Sequence, residues 1–428
     1  MSKFLIEGGQ ELHGTIHIQS GKNACLPILA SIPLTNGHSI IRDVPRISDI
    51  ENLLHILAGI GVKVKWQDGD LHLDSTNLYM NEINSEIAKK IRGSILLMGS
   101  LVGRFGATKL AYPGGCNIGS RPVDLHLNGF RELGVAIKES NDFIECNAKR
   151  FKGGAVYLDF ASVGATENLI LVSVLGKRSV KIVNSAKEPE IVDLCDFLRK
   201  CGACISGDGT DTIIIQGVKE LGGTDHKPIP DRINTGSYML AVATVGGDVT
   251  LENVAPEHNY PLIKKLIKDG IDVTHTNDTI RIRADKNSKA LNKKRNVSHQ
   301  TSQYPGFSTD LQSQLGVFSC LRKGTTTITE NLFEGRFRCY EELKKVGTNV
   351  CISGRKVFIT GVKEFKGGCT EKPITVTASD LRSGVGLVIA GMAARGHTIV
   401  ERADIVARGH EDIVRDLTKV GARISLIE

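Results

Sequence analysis

Aromatic residues and long apolar runs are both scarce in this sequence. Phe, Trp and Tyr together make up 5% of the 428 residues, and there is a single tryptophan, so the stacking platforms that bind single-stranded nucleic acid are not evident. No apolar run approaches the roughly 20 residues that span a bilayer. The opening segment, MSKFLIEGGQ, also lacks the apolar core of a signal peptide. We therefore expect a cytoplasmic globular protein that binds neither a membrane nor nucleic acid.

Charge of one sign is not concentrated anywhere either. The formal net charge is +7, and the densest basic cluster, Lys293 to Arg295, sits in a polar stretch. A protein that binds nucleic acid through its phosphates usually carries a basic patch or stripe. The modest positive balance is more typical of a protein whose substrate is a small polyanion.

The cysteines form no compact framework. There are ten, scattered over the whole chain, which favours reduced thiols. Cys201 and Cys204 form a CxxC pair, but a zinc site needs a second pair or nearby histidines, and neither follows. Since Cys201 ends a helical pattern and Cys204 begins a strand pattern, we interpret them as two core thiols and expect no metal site.

What the chain does have is one unit that recurs six times. A helix-like segment ends in glycine and leads into a strand, at successive intervals of 73, 68, 68, 77 and 74 residues. Glycine after a helix suits a left-handed C-cap. The closing glycines are Gly61, Gly134, Gly202, Gly270, Gly347 and Gly421.

Each copy also begins with a strand that follows a glycine, 23 to 28 residues before the closing one; these opening glycines are Gly37, Gly106, Gly176, Gly247, Gly324 and Gly396. Between the two glycines lie apolar residues at helical spacing, as in Ile50, Leu53, Leu54 and Leu57. Hairpin dipeptides follow three of the closing glycines, namely Asp68-Gly69, Asp208-Gly209 and Ser353-Gly354.

The pattern predicts six βαββ-like repeats in an α/β protein. A period of about seventy residues exceeds that of thin solenoids, so six compact units grouped three and three favour two similar domains over one rod. Pro228, Pro230 and Asp231 lie near the middle of the chain and are interpreted as the connector.

The stretch PGGCNIGSRPVDLH, from Pro113 to His126, carries the chemistry that the repeats lack. Cys116 sits among glycines, and Arg121 follows five residues later. Glycines allow close backbone approach to a ligand, an arginine offers a fork of donors for phosphate or carboxylate, and positive charge favours the reactive thiolate. We interpret the stretch as an anion-handling loop with a reactive cysteine; the alternative is a surface turn with a buried structural cysteine.

With these motifs in place, essentially the whole chain resembles the UDP-N-acetylglucosamine 1-carboxyvinyltransferase family of enolpyruvyl transferases. The resemblance implies a two-domain inside-out α/β barrel with three repeats per domain and the helices packed inside. It implies one domain at residues 22–230, which carries the cysteine loop. The other domain is formed by 1–21 plus 231–428, includes the N-terminal strand, and supplies the base and the arginines.

The implied reaction is an addition–elimination in the first committed step of peptidoglycan synthesis. The 3′-hydroxyl of UDP-N-acetylglucosamine attacks C2 of phosphoenolpyruvate while C3 takes a proton, and the tetrahedral intermediate then loses phosphate. Such a reaction needs cations for a phosphate and a carboxylate, a base, an acid and exclusion of water. It implies no cofactor and no metal, and nothing in the sequence points to an oligomeric state.

The resemblance assigns roles to residues of the first half. Lys22 meets the phosphate of phosphoenolpyruvate, Asn23 meets the N-acetyl group, and Arg92 lies near the substrate. Cys116 is the acid for C3 and a site of covalent attachment, which implies sensitivity to the epoxide fosfomycin, and Arg121 is an anion ligand. Two matching segments line the uridine pocket and face the diphosphate: Pro122, Val123, Asp124 and Leu125, and then Ser162, Val163 and Gly164.

In the second half, the resemblance places Asp310 against the sugar 3′-hydroxyl. Leu332 and Phe333 touch the sugar nucleotide. The cluster around phosphoenolpyruvate is formed by Arg336, Arg382 and Arg408. The resemblance thus makes Cys116, Asp310, Lys22 and Arg408 the catalytic residues.

Two departures from the family pattern leave alternatives open. Phe160 stands where some relatives have a lysine near the uridine, and Gly335 stands where asparagine is usual. They leave room for another acceptor, such as shikimate 3-phosphate or a uridine nucleotide of an antibiotic pathway, and for a catalytically silent or RNA-end-processing relative. The cysteine loop argues against the shikimate enzyme, and retention of Cys116, Asp310 and the arginines argues against silence.

Overall fold

The computed structural model of the chain describes residues 2–79, 83, 85–114, 118–119, 122–285 and 294–428. These residues divide into two compact units. One, here the C-unit, comprises residues 2–19, 118–119 and 230–428, and the other, here the N-unit, comprises the remaining described residues between 20 and 229. Each unit has its own apolar core.

Helices recur along the whole described chain. The α-helices are α1 Lys22–Ser31, α2 Ser48–Gly59, α3 Ser85–Ala88, α4 Leu97–Phe105, α5 Asp124–Glu132, α6 Val163–Ser173, α7 Pro189–Lys200, α8 Arg232–Val245, α9 Tyr260–Lys268, α10 Gln312–Leu321, α11 Arg338–Leu343, α12 Leu381–Ala393, α13 Ala403–Val406 and α14 Ile413–Lys419.

Strands alternate with these helices. They are β1 Lys3–Glu7, β2 Leu12–His17, β3 Thr35–Asn36, β4 His38–Ile41, β5 Lys63–Gln67, β6 Asp70–Asp74, β7 Ala107–Ala111, β8 Ala136–Glu139, β9 Phe143–Asn147, β10 Gly154–Tyr157, β11 Ser179–Val183, β12 Cys204–Ser206, β13 Thr212–Gln216, β14 Leu221–Gly222, β15 Asp225–His226, β16 Gly247–Glu252, β17 Asp272–His275, β18 Thr279–Ala284, β19 Arg295–Gln300, β20 Gly324–Thr329, β21 Asn349–Ser353, β22 Lys356–Thr360, β23 Phe365–Lys366, β24 Ile374–Thr377, β25 Ala394–Arg395, β26 His397–Glu401 and β27 Arg423–Ile427.

The predicted repeats appear as separate sheets of three or four strands. Among the described residues, the N-unit has the strand orders β15-β4-β6-β5, β7-β9-β8 and β10-β11-β13-β12. The C-unit has β2-β16-β18-β17, β19-β20-β22-β21 and β24-β26-β1-β27. In the first five repeats the opening strand pairs antiparallel with the second strand of its own hairpin.

The sixth repeat departs from the predicted βαββ order. Its strand β27 has no hairpin partner of its own, and β1 takes that place between β26 and β27, antiparallel to both. Phe4 lies opposite Val400 on one side and Leu426 on the other. The implied pairing of the N-terminal strand with the C-terminal repeats is therefore confirmed.

The glycines that bound each repeat adopt the conformation for which they were singled out. All twelve opening and closing glycines have positive φ, from 76° at Gly106 to 123° at Gly37 and Gly247. This left-handed region is costly for residues that carry a Cβ. The repeat period is thus set by backbone geometry at the ends of the helices.

The helices form the inside of each unit, and the inside-out α/β architecture is confirmed. In the N-unit, α6 is buried from Ala165 to Ser173, and in the C-unit α12 is buried from Leu381 to Met392. Gly99 of α4 lies so close to α6 that an added Cβ would come within 2.6 Å of the Asn168 carbonyl oxygen. Side chains on the enclosing strands alternate between buried and exposed, as in β13.

Local predictions were tested at the hairpins and the CxxC pair. Asp68 and Gly69 both have positive φ and join β5 to β6, as a two-residue turn requires. Cys201 caps α7 and is buried, but Cys204 is exposed. The prediction of two core thiols was therefore wrong for Cys204, because β12 directs Ile205 inward and the alternating neighbours outward.

Within the part of the chain that the structure describes, none of the helices is both long enough and apolar enough to cross a membrane.

Candidate active site

Asp310 lies in the C-unit between two arginines that sequence analysis predicted as its neighbours. Ser308 caps the short 3₁₀ helix Thr309–Leu311 by accepting a hydrogen bond from the Asp310 amide at 3.2 Å. Arg336 Nη2 donates to Asp310 Oδ1. Arg382 donates to Oδ2 from Nε and Nη2, each at 3.2 Å. The carboxylate is thus oriented by two guanidinium groups, while 22% of its side chain stays exposed.

Asp380 orders the two arginines and was missed by sequence analysis. It caps α12 in a capping box with Ser383 and accepts hydrogen bonds from the Arg382 and Ser383 amides. Its Oδ1 also lies 3.5 Å from Arg336 Nη1. The signal that could have found it is an aspartate three residues before a serine at the start of an apolar run, which indicates a helix N-terminus.

Both arginines are buried and still have N–H groups to offer. Each side chain is about 5% exposed or less. Arg336 Nε and Arg382 Nη1 are buried and have no hydrogen-bond partner among the described residues. Since a buried donor without a partner costs free energy, these two groups indicate where an anionic ligand could bind.

Arg408 lies in the turn that follows α13. That turn packs closely on the first turn of α12: an added Cβ at Gly409 would meet Leu381 Cδ2 at 2.7 Å, and one at Gly384 would meet Val406 Cγ2 at 2.5 Å. The turn carrying Arg408 is therefore adjacent to the turn carrying Arg382. The glycines at these two contacts permit the approach.

Leu332 and Phe333 are held by a buried acid that sequence analysis did not single out. Glu330 Oε1 accepts hydrogen bonds from Thr301 Oγ1, the Leu332 amide and the Phe333 amide at 2.8, 2.8 and 3.2 Å. Its Oε2 accepts from Thr309 Oγ1 at 2.8 Å. Glu330 thus ties the Leu332–Phe333 segment to the residue before Asp310. A lone glutamate after a threonine-rich strand carries no sequence signal of this role.

The residues predicted in the N-unit begin its helices. Lys22 and Asn23 are the first two residues of α1. Lys22 Nζ lies 3.2 Å from Asp49 Oδ2 near the start of α2, with only 12% and 7% of the two side chains exposed. Asp49 was not singled out from the sequence.

Arg92 and the segment after Arg121 meet around a buried polar pair. Arg92 begins a 3₁₀ helix that ends at Leu96. In this helix the Ile95 carbonyl accepts from Asn168 Nδ2 at 3.1 Å, and the same amide lies 2.8 Å from His126 Nδ1. Burial, and then the charge of Arg92, lower the pKa of His126 to about 3, so the ring is neutral near pH 7.

The remaining predicted residues start α5 and α6. Pro122 and Asp124 are exposed, Val123 is buried and Leu125 is half-buried at the beginning of α5. Ser162 caps α6 by accepting from the Ala165 amide at 3.3 Å, ahead of Val163 and Gly164. An added Cβ at Gly164 would lie 3.1 Å from His126 Cε1, so the two helix starts are neighbours. Amide N–H groups at such a helix start favour anions.

Cys116 and Arg121, the two residues on which the loop prediction depends, lie outside the described residues. Ile118, between them in the chain, accepts a hydrogen bond from the Gly335 amide at 2.9 Å. An added Cβ at Gly335 would come within 2.6 Å of the Ile118 carbonyl carbon. The glycine noted as a departure from the family pattern is therefore what allows this close approach. Phe160, the other departure, is exposed.

A metal-ligand cluster is also not found in the described ranges: they contain no group of three or more His, Cys, Asp or Glu side chains arranged to hold an ion.

Comparison with known proteins gives consistent relatives. The family model of EPSP synthase (3-phosphoshikimate 1-carboxyvinyltransferase) matches residues 6–417. UDP-N-acetylglucosamine 1-carboxyvinyltransferase 2 of Caldanaerobacter subterraneus subsp. tengcongensis is 42% identical over 424 residues, which cover 99% of both chains. The protein of the same name from Carboxydothermus hydrogenoformans is 43% identical over 427 residues and 100% of both chains.

Solved structures share the fold at lower identity. The enolpyruvyl transferase NikO from Streptomyces tendae superposes with a TM-score of 0.87 at 22% identity, covering 100% of this chain and 99% of that chain. An EPSP synthase from Acinetobacter baumannii superposes with a TM-score of 0.74 at 17% identity over 100% of both chains. At these identities the likeness concerns the fold.

Proposed function

Since the chain belongs to the EPSP synthase (3-phosphoshikimate 1-carboxyvinyltransferase) family, we propose that it transfers the enolpyruvyl group of phosphoenolpyruvate to the 3′-hydroxyl of UDP-N-acetylglucosamine and releases phosphate. This is the first committed step of peptidoglycan synthesis and serves cell-wall formation, cell shape and cell division. The acceptor follows from the relatives named for this activity, which match the whole chain at 42% and 43% identity.

One geometric observation supports the chemistry best. Arg336 Nε and Arg382 Nη1 are buried donors without a partner among the described residues, directly beside the half-exposed Asp310. A substrate that carries both a hydroxyl and a neighbouring anion would use both features. Phosphoenolpyruvate brings a carboxylate and a phosphate, for which arginine forks are well suited.

In the proposed reaction Asp310 accepts the proton of the sugar 3′-hydroxyl as its oxygen forms a bond to C2 of phosphoenolpyruvate. The electron pair of the C2–C3 double bond takes a proton from Cys116 at C3. The tetrahedral adduct then loses C3–H, the double bond re-forms, and the C2–O bond to phosphate breaks. Lys22 and Arg408 neutralise the phosphate as it leaves.

Binding of the acceptor is assigned to the helix starts of the N-unit. Arg92, Arg121 and the amides of Val163 and Gly164 face the diphosphate, and Pro122 to Leu125 line the uridine. Asn23 binds the N-acetyl group, and Leu332 and Phe333 of the C-unit contact the sugar nucleotide. These roles rest on the resemblance and on the positions of the helix N-termini, which favour anions.

Phosphate release tests the proposal directly. The purified chain is incubated with phosphoenolpyruvate and, in separate reactions, UDP-N-acetylglucosamine, shikimate 3-phosphate or a uridine nucleotide without the amino sugar. We expect phosphate only with UDP-N-acetylglucosamine. Release with shikimate 3-phosphate instead, or with none of the three, would reject the assignment.

A pair of matched variants separates the site from a general loss of charge. Arg382→Gln removes a buried guanidinium beside Asp310 and should abolish most phosphate release. Arg395→Gln removes an arginine whose side chain is 77% exposed and that pairs with Glu364 at 2.8 Å. Because exposed ion pairs contribute little, this control should keep its activity.

We also place the reaction in the cytoplasm. The reasons are the scattered cysteines, which favour a reducing compartment, and substrates that are soluble metabolites.

A further inference from the structure

A cleft in the C-unit lies between α9 and the strand β19, with the segment before Asp310 at its far side. Its volume is about 680 Å³, within the range of pockets that hold small ligands. Among the described residues, β19 is the edge strand of its sheet, so this side of the sheet is not covered by a neighbouring strand. The residues that define the cleft chemically are Lys264, Lys265, Lys268, Ser298, His299 and Phe307.

The charge in this cleft is of one sign. Three lysines line it, and no carboxylate is found among the described residues of its lining. Lys264 and Lys268 are one helical turn apart on α9, and Lys265 lies beside them, so the three ammonium groups lie close together. The nearby Asp269 is already engaged, because Arg322 Nε lies 3.2 Å from its Oδ1.

Lys265 is the member that a simple surface cluster does not explain. Its side chain is half-buried beside the Phe307 ring, with Nζ 5.5 Å from the ring centroid. Nζ lies 3.4 Å from His299 Nδ1. Burial, and then the charge of Lys265, lower the pKa of His299 to about 4, so His299 is a neutral acceptor near pH 7.

An exposed lysine at the C-terminal turn would stabilise a helix without entering a cleft. Burying an ammonium group is unfavourable unless a partner compensates it. Burial, and then the charge of Lys268, accordingly lower the pKa of Lys265. The neutral ring of His299 compensates only part of this cost, and an anion in the cleft would supply the rest.

We propose that this cleft is a second ligand site, which binds a small anion with two or more phosphate groups across Lys264, Lys265 and Lys268. Two phosphates match three ammonium groups better than one, and Ser298 adds a hydroxyl donor at the same wall. Inorganic pyrophosphate and a nucleoside diphosphate share this chemistry. None of these residues belongs to the proposed active site, so the inference does not depend on the proposed function.

Residue-resolved lysine reactivity tests the proposal. The whole chain is labelled by reductive methylation with inorganic pyrophosphate, with UDP, or with sodium chloride at equal ionic strength, and the rate at each lysine is read by peptide mass spectrometry. We expect pyrophosphate to slow labelling of Lys265 well beyond the salt control. Equal effects of UDP and pyrophosphate mean that phosphates alone are recognised, and a stronger effect of UDP means that a nucleoside is also bound; either result supports the site.

A matched pair of double variants excludes general electrostatics. K264Q/K268Q removes two charges from the cleft and leaves Lys265 readable, and we expect at least about tenfold weaker protection of it. K344Q/K345Q removes two charges from the same unit, from lysines that pair with Glu341 and Glu342 at 2.8 and 2.7 Å. This control should protect Lys265 as the unsubstituted chain does.

The proposal is overturned if pyrophosphate slows Lys265 no more than salt does, or if both double variants weaken the protection equally. Labelling of Lys22 is read in the same spectra and reports on the proposed active site. Loss of protection at Lys22 alone would count against the proposed function, and loss at Lys265 alone would count against the second site.

Discussion

Asp310 is held on both carboxylate oxygens by arginines, yet its side chain is partly exposed. We expect Asp310→Ala to lower kcat by about 10²-fold or more, because a positioned base acts in the transition state. Affinity for UDP-N-acetylglucosamine, measured by calorimetry, should change far less. Asp278→Ala is the matched control, since Asp278 is an exposed turn residue of the same unit. Normal turnover of Asp310→Ala would contradict the role.

Cys116 can be tested against the other thiols of the chain. Burial raises the pKa of Cys146, Cys201 and Cys339 to about 12, so these thiols are poor nucleophiles near pH 7. The exposed competitors among the described residues are Cys204, Cys351 and Cys369. We expect fosfomycin to add one equivalent, mapped to the peptide that contains Cys116.

Cys116→Asp should retain part of the activity as an acid and become insensitive to fosfomycin, as measured by phosphate release. Adduct on Cys204, Cys351 or Cys369 with Cys116 unmodified would reject the assignment. The same outcome would leave the three exposed thiols as the reactive ones in this chain.

His126 predicts how the stability of the N-unit depends on pH. Its pKa is lowered from 6.5 to about 3 in the folded chain by burial and by Arg92. Below about pH 6.5 the unfolded state therefore binds a proton that the folded state does not. The stability present above that pH is lost as the pH falls toward 3, at roughly 1.4 kcal/mol per pH unit.

The single tryptophan, Trp66, lies on β5 of the N-unit and reports its unfolding. Urea midpoints followed by Trp66 fluorescence should fall between about pH 6.5 and about pH 4. We expect His126→Gln, which keeps an acceptor for Asn168, to flatten this dependence. His275→Gln, at an exposed position of the C-unit, should leave it unchanged, and an equally steep profile in both variants would disprove the explanation.

At the residue scale, the sequence identified residues that carry charge but not those that orient them. Asp310, Arg336 and Arg382 were grouped by resemblance to family motifs, and the structure brings these three together. Asp380 and Glu330 escaped because their partners lie 44 and 21 residues away in sequence. A contact of that separation leaves no periodicity and no spacing to detect.

At the scale of elements, Glu330 joins the end of β20 to two segments that carry predicted site residues. Glu330→Gln keeps the shape but replaces one acceptor oxygen by an NH₂ group, which would face the donors of Thr309 or of the Leu332 and Phe333 amides. We expect a loss of about 1–3 kcal/mol in the free energy of unfolding, measured by urea denaturation.

The KM for UDP-N-acetylglucosamine should also rise in Glu330→Gln, since Leu332 and Phe333 are proposed to contact it. Glu252→Gln, at an exposed end of β16, is the matched control and should change neither quantity. An unchanged KM together with the expected loss of stability would restrict Glu330 to a purely structural role.

Elements were largely predictable because glycine marks where they end. The left-handed glycines bounding each repeat were read from the sequence, and the helix over Ile50 to Leu57 was found as α2. The sixth repeat could not be completed in the same way, since nothing in residues 423–427 shows which strand will pair with them. That partner, β1, comes from the other end of the chain.

On the scale of the whole molecule, β1 makes the C-unit depend on both ends of the sequence. Ile6 is fully buried and lies opposite Thr398 and Ile424. We expect Ile6→Ala to destabilise the C-unit by about 2–5 kcal/mol through the lost contacts and the cavity. Hydrogen exchange followed by mass spectrometry should show faster exchange in β26 and β27 together.

Ile215→Ala is the matched control, because Ile215 is equally buried in β13 of the N-unit. It should accelerate exchange in β11 and β12 and leave β26 and β27 protected. If Ile6→Ala instead loosens β27 without β26, the two strands are not coupled through β1.

The position of β1 also has a consequence for biosynthesis. A ribosome completes every strand and helix of the N-unit once residue 229 has been made, so this unit can fold while translation continues. The strand Lys3–Glu7 is made among the first residues, but its two neighbours are made among the last, at 397–401 and 423–427. Throughout elongation the nascent chain therefore carries an unpaired strand whose Phe4 and Ile6 have nothing to pack against, a segment that a chaperone at the tunnel exit would be suited to shield.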